Sequence, residues 1–225
     1  SYIKPHWPYM APAPYHNMYG SNTFQEIIRD NSEKENPHPV YDAFMKMEVS
    51  QTFSTPGVRE TVLPAYMGMI KQIDDHLGEL FNWLDEKEKT DETMIVITSD
   101  HGDYLGDFNM LLKGPLKLGS ITRVPMIWSD PNSRTAVRTK TLGSTIDLSA
   151  SILERAGFEP YNGMQGKSFL RSLSGDKPHR DEVLIEFNNN DARMGMVTVP
   201  RVRTLRSNSW RLSVYADEDW GELYD

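Results

Sequence analysis

The sequence predicts an α/β sheet with flanking helices, followed by a small antiparallel β unit, and three observations carry that reading. Tyr66, Met69, Ile70, Ile73, Leu77, Leu80, Phe81 and Leu84 recur at the three-and-four spacing of one helical face. Thr93-Met-Ile-Val-Ile-Thr98 follows as a continuous, mostly β-branched apolar run, the pattern of a strand covered on both faces. Beyond Gly163 the texture changes to short runs of strand formers separated by turn residues. The expected division places the α/β part in residues 1–160 and the antiparallel subdomain in residues 161–225.

Each element has its own local reason. Prolines at 5, 8, 12 and 14 exclude a helix from the first fifteen residues and predict an extended loop. That loop has neither a basic leader nor an apolar core, so it does not read as a signal peptide. Residues 20 to 60 are rich in polar and turn residues, including Asn36-Pro-His-Pro39, and support one short helix at 40 to 48. Pro64 suits the first turn of the long helix. Arg123-Val-Pro-Met-Ile-Trp128 repeats the apolar strand pattern, and an amphipathic helix is expected from Thr145 to Ala156, stopped by Gly157. Short strands are expected at 182–187, 195–199, 202–205 and 210–215.

Composition excludes several classes. With 32 acidic against 24 basic residues the formal charge is −8, which argues against nucleic acid as a partner. No run approaches the ~18 apolar residues of a membrane-spanning helix. The absence of cysteine rules out disulfides, thiolate metal sites and a cysteine nucleophile within these residues.

Chemistry concentrates in Ser99-Asp100-His101-Gly102-Asp103-Tyr104-Leu105-Gly106-Asp107, directly after the predicted strand. In open α/β sheets ligands bind beyond the carboxyl ends of strands. Adjacent Asp100 and His101 at such an end can both turn toward one cation, with Gly102 allowing the backbone to bend. Lys113, in Leu111-Leu-Lys-Gly-Pro115, suits an anion clamp. His6, fenced by Pro5 and Pro8, suits a positioned general acid. The remaining histidines are assigned no role: His76 stands beside Asp74 and Asp75 on the solvated face of its helix, and His16, His38 and His179 lie in loop-like stretches without acidic or histidine partners at ligand spacing.

Together, and in this order, these stretches resemble the sulfatase family of the alkaline phosphatase superfamily. The resemblance runs through Lys4-Pro-His-Trp-Pro-Tyr9, Ile73-Asp-Asp-His-Leu-Gly78, Ile97 to Asp107, Leu112-Lys-Gly-Pro115, Arg123-Val-Pro-Met-Ile127, Asp147 to Gly157 and the terminal Glu222-Leu-Tyr-Asp225. The Asp-His form is most similar to the branch holding iduronate-type and choline-type sulfatases and phosphonate monoester hydrolases. The resemblance implies part of an alkaline-phosphatase-like sheet flanked by helices. It further implies that Asp100 and His101 bind a divalent metal, that Lys113 contacts nucleophile and substrate anion, and that His6 meets the sulfate or the leaving-group oxygen. Calcium is the metal the resemblance suggests; manganese, magnesium and zinc are alternatives, because imidazole is softer than calcium prefers. The implied substrate is a small sulfated or phosphorylated ester.

Two departures shape this expectation. The family's formylglycine nucleophile arises from Cys or Ser in a Cys/Ser-x-Pro-x-Arg motif, and no such motif is present. Ser54-Thr-Pro-Gly-Val-Arg59 has its arginine one place too far and follows His6, where the family has no nucleophile. The second departure is Asp107-Phe-Asn109, where relatives carry Asp-His-Gly. The chain therefore reads as the C-terminal part of a sulfatase-like hydrolase, inactive by itself and exposing a sheet edge suited to self-association. A phosphonate monoester or phosphodiester hydrolase on the same scaffold, or a noncatalytic binding module, are the alternative readings.

Overall fold

The computed structural model describes residues 1–20, 31–173, 178–189 and 193–225. They form two compact units, one of residues 1–133 with 193–198 and the other of residues 134–192 with 199–225, so the Thr145–Ala156 helix belongs with the antiparallel sheet.

The first unit opens with the extended loop the prolines dictate, which contains only a 3-10 turn at Tyr15–Asn17. Two short helices follow, α1 (Pro39–Met45) and α2 (Glu48–Phe53), where one was expected; Met47 adopts an extended conformation and separates them. Helix α3 (Val58–Glu86) starts six residues before Pro64, which lies in its interior. Pro64 lacks the N–H that would bond the Glu60 carbonyl, yet buried Leu63 and Met69 on either side hold the helix through that point. Gly68 sits mid-helix because the Tyr15 carbonyl approaches so closely that a Cβ would stand 2.3 Å from it.

Strand β1 (Ile95–Thr98) pairs antiparallel with β2 (Met126–Ser129), Ile95 opposite Ser129 and Thr98 opposite Met126. Among the described residues these two strands make a sheet by themselves. Neither is covered on both faces as the apolar runs imply: Ile95, Val96 and Ile97 are half-buried, while Met126 and Ile127 are 40% and 54% exposed. Between the strands lies the single-turn helix α4 (Gly119–Thr122). The core lies behind the loop after β1, where Tyr104, Met110, Leu111 and Leu116 are buried with Val40 and Phe44 of α1.

The second unit contains α5 (Asp147–Arg155) and a four-stranded antiparallel meander, β3 (Glu182–Asn188), β4 (Arg201–Ser207), β5 (Arg211–Tyr215) and β6 (Gly221–Tyr224). The strand expected at 195–199 is absent; residues 194–198 turn and bend within the first unit, where Gly195 has φ +81° and lies against the Ala43 carbonyl. Alternation in β5 is complete, with Arg211, Ser213 and Tyr215 buried and Leu212 and Val214 exposed. The covered face is partly polar: Thr204 and Ser213 hydroxyls meet at 2.9 Å, and the Tyr215 hydroxyl donates to Glu222 at 2.7 Å. No helix among the described residues is long and apolar enough to cross a membrane.

Candidate active site

Chain direction puts Ser99, Asp100 and His101 immediately beyond the carboxyl end of β1, and local hydrogen bonds fix them there. Asp100 Oδ1 accepts the His101 N–H at 3.0 Å, and the Ser99 hydroxyl donates to the His101 carbonyl at 2.9 Å. Gly102 N–H donates to the Ile121 carbonyl at 2.8 Å. Gly102 is needed for this close approach, since a Cβ there would stand 1.9 Å from the Ser120 carbonyl oxygen.

His101 Nδ1 lies 2.8 Å from the Gly102 carbonyl, which can only accept, so Nδ1 carries the proton. Its Nε2 lies 2.9 Å from Lys113 Nζ and 3.4 Å from Asp100 Oδ2. A ring lone pair and a carboxylate facing each other at this distance repel unless a cation stands against both, and the Lys113 ammonium supplies that charge. The pair therefore fits two ligands of a divalent ion, with the Gly102 carbonyl orienting the ring in the manner of metal-binding histidines. Among the described residues no group of three or more His, Asp or Glu side chains gathers where it could hold an ion unaided. The Asp100 carboxyl is 84% exposed; partial burial pushes it up, but His101, nearby N–H groups and Lys113 outweigh that and hold it below its ordinary value.

Lys113 extends from a segment whose next residue, Gly114, faces the Phe44 ring, where a Cβ would meet Cζ at 2.3 Å. His6 is exposed, its Nδ1 donating to the Trp7 carbonyl at 2.8 Å, and the Lys4 ammonium braces the same loop on the Pro8 carbonyl at 2.5 Å. Three residues on, the Tyr9 hydroxyl donates to Asp103 Oδ2 at 2.7 Å, tying the His6 loop to the loop that carries His101. Burial, then the Asp103 charge, push the Tyr9 phenol up and raise that of neighbouring Tyr66 to about 12; burial also raises the Asp103 carboxyl. The structure thus brings Asp100, His101 and Lys113 together and ties the loop that carries His6 to the loop that follows His101.

Sequence reasoning passed over two sets of residues. Asp103 and Tyr9 lie 94 residues apart and carry no local signal of pairing. In the second unit, His179 was expected to lack an acidic partner, yet its Nε2 sits 2.9 Å from the fully buried Asp147. Arg180 Nε donates to the same carboxylate at 2.8 Å, and backbone N–H groups of Ser144 and Lys167 complete its shell. The only sequence hint was an acidic residue opening α5. Ser54, the decoy nucleophile, donates its hydroxyl to the Ser50 carbonyl at the end of α2.

The Sulfatase family model matches residues 1–158, and a model for the C-terminal part of N-sulphoglucosamine sulphohydrolase matches residues 116–225. The chain is 33% identical over 206 residues to the multifunctional alkaline phosphatase superfamily protein PehA of Trinickia caryophylli, covering 84% of this chain and 40% of that protein. It is 25% identical over 234 residues to choline-sulfatase of Rhizobium meliloti, covering 100% of this chain and 43% of the other. The solved phosphonate monoester hydrolase from Silicibacter pomeroyi superposes with a TM-score of 0.87 at 25% identity over 100% of this chain and 48% of its own. The chain thus spans less than half the length of these relatives. With the strand-end Asp-His pair, the approaching lysine and a family match over residues 1–158, the chain belongs to the sulfatase family.

Proposed function

We propose that this chain supplies the metal-ligating and anion-binding part of a sulfatase-like hydrolase of sulfate esters, with the nucleophile contributed from outside these 225 residues. The observation that carries the reading is the convergence of Lys113 Nζ, at 2.9 Å, and Asp100 Oδ2, at 3.4 Å, on His101 Nε2 at the end of β1. Sulfatase family relatives generally bind a divalent metal, and here Asp100 and His101 would hold it. When bound, such an ion polarises the ester's non-bridging oxygens. Lys113 adds a second positive charge against the same oxygens, where negative charge accumulates as the fifth ligand approaches sulfur. His6, with Nδ1–H on the Trp7 carbonyl, retains Nε2 to carry a proton to the departing alcohol oxygen.

A second reading, hydrolysis of phosphonate monoesters or phosphodiesters, has its own support in the likeness to PehA and to the phosphonate monoester hydrolase. Both substrate classes present one negative charge on a tetrahedral centre, so one lysine and one divalent ion serve either. The test compares kcat/KM of the complete polypeptide on a nitrophenyl sulfate and a nitrophenyl phosphonate monoester. The sulfate is expected to be preferred; a phosphonate preference would favour the second reading, and no turnover of either, with the nucleophile present and modified, would favour a binding module.

A further inference from the structure

Directly after His101 and Gly102 stand two residues whose contacts reach the other parts of the site in opposite directions. Asp103 takes the Tyr9 hydroxyl on Oδ2 at 2.7 Å and the Leu105 N–H on Oδ1 at 3.0 Å, and so binds the loop that carries His6. Tyr104, buried, donates twice into the segment that carries Lys113: its N–H to the Leu112 carbonyl at 2.9 Å and its hydroxyl to the Leu116 carbonyl at 2.7 Å. These two bonds bracket Lys113. Leu112 itself adopts φ +63°, a left-handed conformation that a bulky side chain avoids unless its surroundings over-determine it.

We propose that Asp103 and Tyr104 are positioning residues that register the His6 and Lys113 loops on His101, Tyr104 by clasping the segment around Lys113 at both ends, its N–H on Leu112 and its hydroxyl on Leu116, so that Lys113 stands beside His101. The proposal rests on the reading of Lys113 and His6 as reacting groups. Ring packing and hydroxyl function are separable at Tyr104. Its ring meets Phe44 edge-on at 5.9 Å, a contact that phenylalanine keeps, whereas only the hydroxyl serves Leu116.

The test is a pair of double-mutant cycles in the complete polypeptide, with manganese(II) present throughout, reading kcat and melting temperature. Tyr104→Phe is expected to lower kcat on a nitrophenyl sulfate ~10- to 100-fold, as lost orientation of a reacting group does. Combined with Lys113→Ala, it should cost no more than Lys113→Ala alone, because its effect passes through that lysine. Tyr9→Phe, which releases Asp103 from the His6 loop, should lower kcat on an alkyl sulfate, whose poor leaving group needs a proton, and add nothing to His6→Ala. Additive losses in either cycle would overturn the proposal, as would a Tyr104→Phe protein that melts lower or fails to fold with no specific loss of kcat. Retention of full activity by both Lys113→Ala and His6→Ala would instead sink the underlying reading of the reacting groups, and the proposal with it.

Discussion

At His101 the two ring nitrogens have different duties: Nδ1–H is committed to the Gly102 carbonyl, and Nε2 presents its lone pair where Asp100 and Lys113 converge. Substituting either acceptor removes half of the proposed two-residue cation site. Asp100→Ala and His101→Ala in the complete polypeptide should each weaken divalent-ion affinity at least ~10-fold, read by titration calorimetry with manganese(II). The 225-residue chain by itself should bind manganese(II) no tighter than micromolar, because two side chains leave most of the coordination shell to water; submicromolar binding would contradict this. Lys113→Ala should cost ~100-fold or more in kcat, comparable to losing an oxyanion donor. Arginine is a poor replacement there, since its planar fork cannot occupy the compact position of an ammonium 2.9 Å from the imidazole.

The element most sensitive to a single atom is the loop between β1 and α4, because Gly102 lies against the Ser120 backbone. Adding one carbon in Gly102→Ala places it 1.9 Å from a carbonyl oxygen that no side-chain rotation can move. The loop must shift, at a cost of about 1–3 kcal/mol, seen as a lower melting temperature. A displacement of His101 by an ångström should reduce turnover by ~100-fold. In the second unit the vulnerable element is the start of α5. Burial pushes the Asp147 carboxyl up, but Arg180, the N–H groups of Lys167 and Ser144, and His179 outweigh it and hold it well below the usual carboxylate range. A carboxyl whose native pKa lies below its unfolded value of ~3.9 stabilises the fold at higher pH and loses that contribution as pH falls through the native value. Thermal melts should therefore show acid loss of stability beginning near pH ~4–5 that Asp147→Asn abolishes. At neutral pH Asp147→Ala should cost about 3–5 kcal/mol by leaving the half-buried Arg180 unpaired, and Arg180→Met in the same chain should recover part of it.

On the scale of the molecule, each unit carries apolar surface that its own elements leave open. In the first, Met126 and Ile127 of the two-stranded β1–β2 sheet are exposed, with Ile70, Leu80 and Trp83 of α3. In the second, Leu184, Leu205, Leu212 and Leu223 stand opposite one another in a row across β3 to β6, all of them exposed. Exposed strand edges and contiguous leucines favour association. The isolated 225-residue chain should therefore self-associate at tens of micromolar and above in sedimentation velocity, and Ile127→Lys should reduce the association. A monomer at all concentrations would contradict this. The same chain should not sustain turnover of an aryl sulfate, since metal, lysine and histidine without a nucleophile forfeit the covalent step.

The amino-acid sequence by itself determined the helix α3, the strand β1, the helix α5 and the closing antiparallel strands, because period, β-branching and a terminal glycine are local properties. It also indicated where to propose a site, since Asp100 and His101 fall at the carboxyl end of β1 and carry the resemblance to sulfatases. Only the tertiary structure decided that α3 runs through Pro64, that β1 and β2 pair antiparallel and are only partly covered, and that residues 194–198 turn instead of forming a strand. It alone decided which groups meet across the chain: Tyr9 with Asp103, Tyr104 with Leu116, and Asp147 with His179 and Arg180. The physical reason is the same in each case. Periodicity reports which face of an element avoids water, whereas a hydrogen bond between residues up to 94 positions apart depends on the path of the whole chain between them.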